Sequence, residues 1–256
     1  MFGIPLPIIF AVTGAVAGFV DAVAGGGGLI TIPVLLAAGI DPKMALGTNK
    51  FQASFGSSTA MVTYSLHKHV VPWNCKLGIA ATALGAASGA LAVQHLPGQF
   101  LAAFIPIALL GVLVYFLLAP RAGQVQRQAR MPRPVFFLLF GLGIGFYDGF
   151  FGPGTGSFWT FAIVHFLGLA LPAAAGHTKV MNFTSNIVSL VFFAIGGYVL
   201  VVPGLAMATG QIIGARVGAG LASKRGAGFI RPVFLVVVAL TIANLLYRRL
   251  AAWLGW

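Results

Sequence analysis

Acidic residues are almost missing from this chain: Asp21, Asp41 and Asp148 are the whole set, and there is no glutamate. Lysine and arginine number 15, so the net charge is +12, yet only 7% of all residues are charged. Soluble domains are about one-quarter charged, so this chain lacks the means to cover a water-facing surface. Cysteine is scarcer still. Cys75 stands alone, which excludes an internal disulfide or a cysteine-rich metal site and leaves a small buried hydrophobe as its reading. HExxH, the GxSxG elbow, the Walker lysine loop and acidic metal clusters are also missing. Hydrolysis, ATP-driven transport by this chain alone, a metal and a cofactor are therefore not expected.

What remains is apolar. Hydrophobic residues make up 59% of the chain and the mean hydropathy is +0.99. Stretches of about 20 residues, enough to cross a ~30 Å hydrocarbon core, recur from end to end. Helices satisfy their own backbone in lipid, so the expected class is an all-α polytopic membrane protein of the cell inner membrane. Residues 1–7 lack a basic n-region and a cleavage site, and residue 8 onward reads as a retained membrane segment. In a soluble protein the charge of +12 would suggest nucleic acid. Here much of it sits in short loops, where it orients a protein in the bilayer, so no nucleic-acid partner is expected.

The chain repeats itself. GFVDAVAGGGG from Gly18 aligns with GFYDGFFGPGTG from Gly145, 127 residues later. ALGTNKFQASFGSS from Ala45 aligns with AAGHTKVMNFTSNI from Ala174, 129 residues later, and GAASGALA from Gly85 matches the stretch from Gly214. Common order and offset argue for a duplication, with repeats over 1–119 and 135–256 and a basic linker over 120–134. Each half reads as a glycine-broken segment followed by three continuous ones. These fall at 8–24 with 29–39, 44–66, 73–96 and 100–119, then 135–151 with 158–169, 173–200, 203–222 and 229–254.

The piece after each break is too short to span. If each broken segment crosses as one helix, the halves are parallel; if it is a re-entrant hairpin, they are inverted. The inverted plan places nine basic residues on the linker side and three (Lys43, Arg248, Arg249) on the other, against eight and four for the parallel plan. Inversion is the favoured expectation.

Two lysines lie inside apolar segments at matching places, Lys50 in GTNKFQASF and Lys179 in GHTKVMNFT. An ionisable residue at membrane depth points to a functional site, and two cations suit an oxyanion. Their polar company is Thr48, Asn49 and Gln52 in one half and His177, Thr178 and Asn182 in the other. The bland alternative is snorkelling to the interface. The breaks, with Gly26, Gly27 and Gly28 in one half and Gly154, Thr155 and Ser157 in the other, would present helix starts that favour an anion. Scattered glycines such as Gly85 and Gly89 read instead as close helix packing. Asp21 and Asp148 are repeat equivalents just before the breaks. They either support a lysine or backbone N–H groups, the favoured reading, or titrate during transport.

The run from Gly18 to Ala60 and its second copy from Gly145 to Leu190 together resemble the sulfite exporter TauE/SafE family, the four-toluene-sulfonate uptake permeases, over essentially the whole chain. The resemblance implies a bacterial inner-membrane transporter of sulfite, sulfonates such as sulfoacetate or isethionate, or related organic acids. The family's repeated motifs fall on Asp21, Gly25 to Gly28, Thr48, Asn49, Lys50, Asp148, Gly152 to Gly156, Thr178, Lys179 and Asn182. The second break, GPGTGSF, departs from a plain glycine run and is stiffer. The expectation is thus a secondary transporter of a small anion, with coupling to H+ or Na+ open and no oligomeric state implied. A passive anion channel and a carrier of a non-sulfur organic anion are the alternatives.

Overall fold

Long apolar runs with small residues at every turn make helices that can approach closely, and helices are what the chain builds. A computed structural model describes residues 5–118 and 128–225. It contains α1 (Leu6–Ala24), α2 (Gly28–Ala37), α3 (Pro42–Leu66), α4 (Lys76–Gln94, led in by a 3-10 turn Pro72–Cys75) and α5 (Gly98–Leu118). After the linker come α6 (Arg133–Phe150), α7 (Thr155–Ala162, continued by a π turn Ile163–Leu167), α8 (Leu171–Ile195) and α9 (Val201–Arg225). The segment expected at 229–254 and most of the linker, including Arg121 and Arg127, lie outside the described residues.

Proline and aspartate set the helix starts. Asp41 caps α3 by accepting from the N–H of Lys43 at 2.9 Å, with Pro42 in the first turn. The expected helix over 173–200 stops five residues early. Gly197 adopts a left-handed φ of 75°, the N–H of Tyr198 turns back on Phe193 O, and α9 begins anew at Val201.

Among the described residues, four helices are both long and apolar enough to cross a membrane: α1, α4 with its 3-10 lead-in, α6 and α8. One face of these helices carries exposed large side chains, including Val12 and Val16 on α1 and Leu138, Leu139 and Leu142 on α6, as a lipid-facing surface requires. α3 carries more polar residues because much of it lies inside: Thr48, Asn49, Lys50, Gln52 and Ser54 are all buried.

Helix directions follow from which residues meet. Along α1 and α9, Gly14 lies on Met207 and Gly18 on Gln211, while Gly210 lies on Ala11 and Gly214 on Ala15, so the two run in the same direction. α4 and α6 repeat this arrangement: Gly85 meets Leu142, Gly89 meets Phe146, Gly145 meets Thr82 and Gly149 meets Ala86. At each of these eight glycines a Cβ would run into the neighbour's backbone or side chain, which is the small-residue packing of membrane helices. α3 and α8, which carry the matching lysines, run oppositely. Gly47 and Thr48 at the start of α3 meet Tyr198 and Leu200 beyond the end of α8, while Gly176 near the start of α8 meets Val70.

The short helices turn back. Arg130, just before α6, donates its N–H to Phe166 O at 2.8 Å and its guanidinium meets His165 at 2.9 Å, so the chain leaves α7 beside the point where it enters α6. In the first half, Phe10 of α1, Leu35 of α2 and Ala45 of α3 share one buried cluster. Each broken segment is therefore a hairpin rather than one long crossing helix.

Candidate functional site

The two hairpin tips meet at the centre. At Gly25, φ is +80° and the missing Cβ would collide with Gly156 of the other half, so only glycine fits on both counts. Gly152 and Gly154 take φ of +100° and +82° around Pro153, which bends the second tip as the glycine run bends the first. Ser157 Oγ donates to Ala24 O and ties one tip to the other. Tyr147 OH, donating to Pro153 O at 2.6 Å, braces the second tip from within its own half.

Both lysines are buried beside these tips, and each is paired with the aspartate of the opposite half. Lys50 Nζ of α3 lies 2.5 Å from Asp148 Oδ1 of α6. Lys179 Nζ of α8 lies 3.1 Å from Asp21 Oδ2 of α1, and also donates to the main-chain oxygen of Asp21. Neither lysine snorkels to an interface. The two pairs differ in their surroundings. Asp148 is 4% exposed and its second oxygen accepts from Ser185 Oγ. Asp21 is 21% exposed, and among the described residues its second oxygen has only a long 3.4 Å bond from the Gly27 N–H.

Between the tips and helices α3 and α8 lies a small polar cavity of about 30 Å3, room for one or two waters. Of the residues singled out from the sequence, Asp21, Asp148, Gly25, Gly28, Asn49, Gly152, Gly154, Thr155, Gly156 and Asn182 line it. Asn49 Oδ1 accepts from Thr31 Oγ1 at 2.6 Å and Gln52 Nε2 at 2.8 Å, which leaves its amide nitrogen as the group it can offer the cavity. Asn182 Oδ1 is buried without a hydrogen-bond partner among the described residues. Such a group costs about 1–3 kcal/mol until something bonds to it.

The other candidates serve different places. Lys50 and Lys179 stand behind the acids and do not line the cavity. Thr48 Oγ1 accepts from Leu200 N–H at 3.0 Å and so holds the turn between α8 and α9. His177 Nδ1 meets Ala173 O of its own helix at 2.8 Å, and Thr178 meets Thr160 at 3.0 Å. Ser157 is engaged with Ala24 O, while Gly26 and Gly27 accept from Leu29 and Ile30 and so turn the start of α2 in on itself. Three cavity or acid contacts were not singled out: Asn186 and Ala53 line the space and Ser185 binds Asp148. Asn186 was within reach of a spacing argument, since it lies one helical turn beyond Asn182.

A profile of the family described as sulfite exporter TauE/SafE matches residues 10–245. The chain belongs to that family. It is 44% identical to the probable membrane transporter protein YfcA of Escherichia coli K12, over 98% of this chain and 94% of the relative. It is 43% identical to a probable membrane transporter protein of Haemophilus influenzae over 99% of this chain and 98% of that one. A probable membrane transporter protein ORF9 from a Sinorhizobium species is 44% identical over 94% and 93%. No solved structure matches. With these relatives and its apolar helices, the chain is a multi-pass inner-membrane protein of a transporter family, not an enzyme.

Proposed function

We propose that this protein is a secondary transporter that carries a small sulfur-containing anion, sulfite or a sulfonate, through the cavity between the hairpin tips. The observation that carries the reading is the exchange of buried ion pairs between the halves. Lys50 with Asp148 and Lys179 with Asp21 make the cavity wall a joint product of both repeats. Unwound backbone at membrane depth is tolerated where it is buried or lines a cavity, and both tips do so. Asn49 and Asn182 would orient an oxyanion through their amide N–H groups. Asn182 Oδ1, without a partner among the described residues, is free to accept from a hydroxyl such as that of isethionate, and the paired lysines set the potential behind them.

The antiparallel course of α3 and α8, which are repeat equivalents, supports inverted repeats. A two-fold axis in the membrane plane reverses every helix it relates, whereas an axis along the normal reverses none. Reciprocal packing of α1 on α9 and of α6 on α4 fits the same operation. Alternating access then follows from one repeat rocking against the other, with the touching tips as the contact that slides or parts.

Uptake into liposomes tests the function. With sulfite, isethionate, thiosulfate, sulfate and acetate compared, uptake of sulfite or isethionate is expected to saturate and to be inhibited by the other. Asn182→Ala should weaken its apparent affinity by about fivefold, the equivalent of one hydrogen bond of ~1 kcal/mol. Uptake that grows linearly with concentration, or that acetate alone supports, would overturn the reading.

A further inference from the structure

The four buried charges around the cavity cancel. Asp21 and Asp148 balance Lys50 and Lys179, and the four are held as two pairs. A monovalent anion entering this space therefore brings one negative charge, and among the described residues no further cation lines the cavity to meet it. An unpaired charge in a buried site costs several kcal/mol. A proton on one carboxylate removes that cost, because it releases one lysine's charge to the anion.

The two aspartates are not equally able to accept it. Asp148 also lines the cavity, but it is only 4% exposed and both its oxygens are engaged, one by Lys50 and one by Ser185. Asp21 faces the cavity with a fifth of its side chain exposed, and its Oδ1 has only the long bond from Gly27. The cause is legible in the repeat. The counterpart of Ser185 in the first half is Gly56, which has no hydroxyl to clamp Asp21 and is packed against Gln211. Lys179 also keeps a partner when the Asp21 carboxylate is neutral, since it donates to the main-chain oxygen of the same residue. The remaining titratable neighbours are few. Tyr64 of α3 donates its hydroxyl to Ala22 O at 3.0 Å, and the Lys50–Asp148 pair stands across the cavity.

We propose that Asp21, and not Asp148, takes up one proton with each monovalent anion, so that the protein is an electroneutral anion–proton symporter. The inference rests on the transport reading above. The proton comes from the solution on the side where the anion enters, resides on the Asp21 carboxylate while Lys179 faces the anion, and leaves with it on the other side. No bond other than the O–H bond is made or broken.

The test uses the full chain in liposomes with isethionate, a sulfonate whose own charge is fixed. A pH gradient of one unit, acid outside, should drive accumulation toward about tenfold, the limit for one proton per anion. The lumen should acidify as isethionate enters, and clamping the membrane potential should change nothing. Asp21→Asn should abolish both accumulation and acidification while isethionate–isethionate exchange persists at a reduced rate; Asp21→Glu should restore accumulation. Ser185→Ala should still accumulate. In detergent, the wild-type chain should take up one proton from weakly buffered solution per isethionate bound, a measurement that depends on no variant folding. Accumulation driven by sodium instead of protons, or persisting in Asp21→Asn, would overturn the proposal while leaving transport intact. Failure of the wild type to exchange isethionate or sulfite at all would overturn the transport reading, and this one with it.

Discussion

The two buried ion pairs come from one duplicated motif and have ended in different states. Lys50–Asp148 is short, sealed and clamped by Ser185, whereas Lys179–Asp21 is longer and open to the cavity. The same residues at the same spacing thus make a fixed strut in one place and a yielding contact in the other. A single hydroxyl, present at Ser185 and absent at Gly56, accounts for much of the difference. The matching stretches set a lysine and an acid at corresponding places in the two halves, and the residues beside the acids, Ser185 and Gly56, differ.

The comparison can be broken most directly at the sealed pair. Lys50→Ala leaves Asp148 buried without its cation and should destabilise the fold by about 3–5 kcal/mol. A thermal melt in detergent reads this as the largest loss among these variants. Replacing both partners, Lys50→Met with Asp148→Leu, should recover much of that stability and still abolish uptake. The open pair should respond less. Lys179→Ala leaves Asp21 with access to cavity water, so about 1–3 kcal/mol is expected. A melt in which Lys179→Ala proves as harmful as Lys50→Ala would remove the asymmetry on which the comparison rests.

The smallest contrast lies in the helix packing, where the halves should behave alike. Gly149→Ala sets a methyl group against Ala86 O, and Gly214→Ala sets one against Ala15 O. Overpacking of this kind costs roughly 1–3 kcal/mol, and the two values should agree within about 0.5 kcal/mol if the reciprocal interfaces are equivalent. A large difference would mean that asymmetry reaches beyond the site into the frame.

Much of the frame was legible from residues alone. The offset between copies located both lysines and both acids, and the glycine runs located both tips. Within the described residues, helix limits came within a few residues except at α8, where Gly196 and Gly197 end a run that hydropathy alone would have continued to residue 200. The site was legible only in part. Asn49, Asn182 and Thr155 reach the cavity, but Thr48 and His177, one or two positions from a lysine, do not line it. Thr48 faces a turn of the other half, and His177 bonds to its own helix. Neighbours in sequence point around a helix in different directions, so proximity to a buried lysine does not place a side chain in the same space.

By itself the sequence determined that this chain lives in a membrane, that similar motifs recur about 127 to 129 residues apart, and that each motif set carries a cation and an acid where lipid would not tolerate them unpaired. Those conclusions follow from composition and spacing, which are local or additive properties. Only the tertiary structure decided that each lysine takes its acid from the other half, that the two tips touch, and that of the two acids lining the cavity Asp21 is the more exposed and the less tightly bonded. These depend on which surfaces the crossing helices bring together. A buried charge selects its partner by distance and direction in space, whatever the separation along the chain.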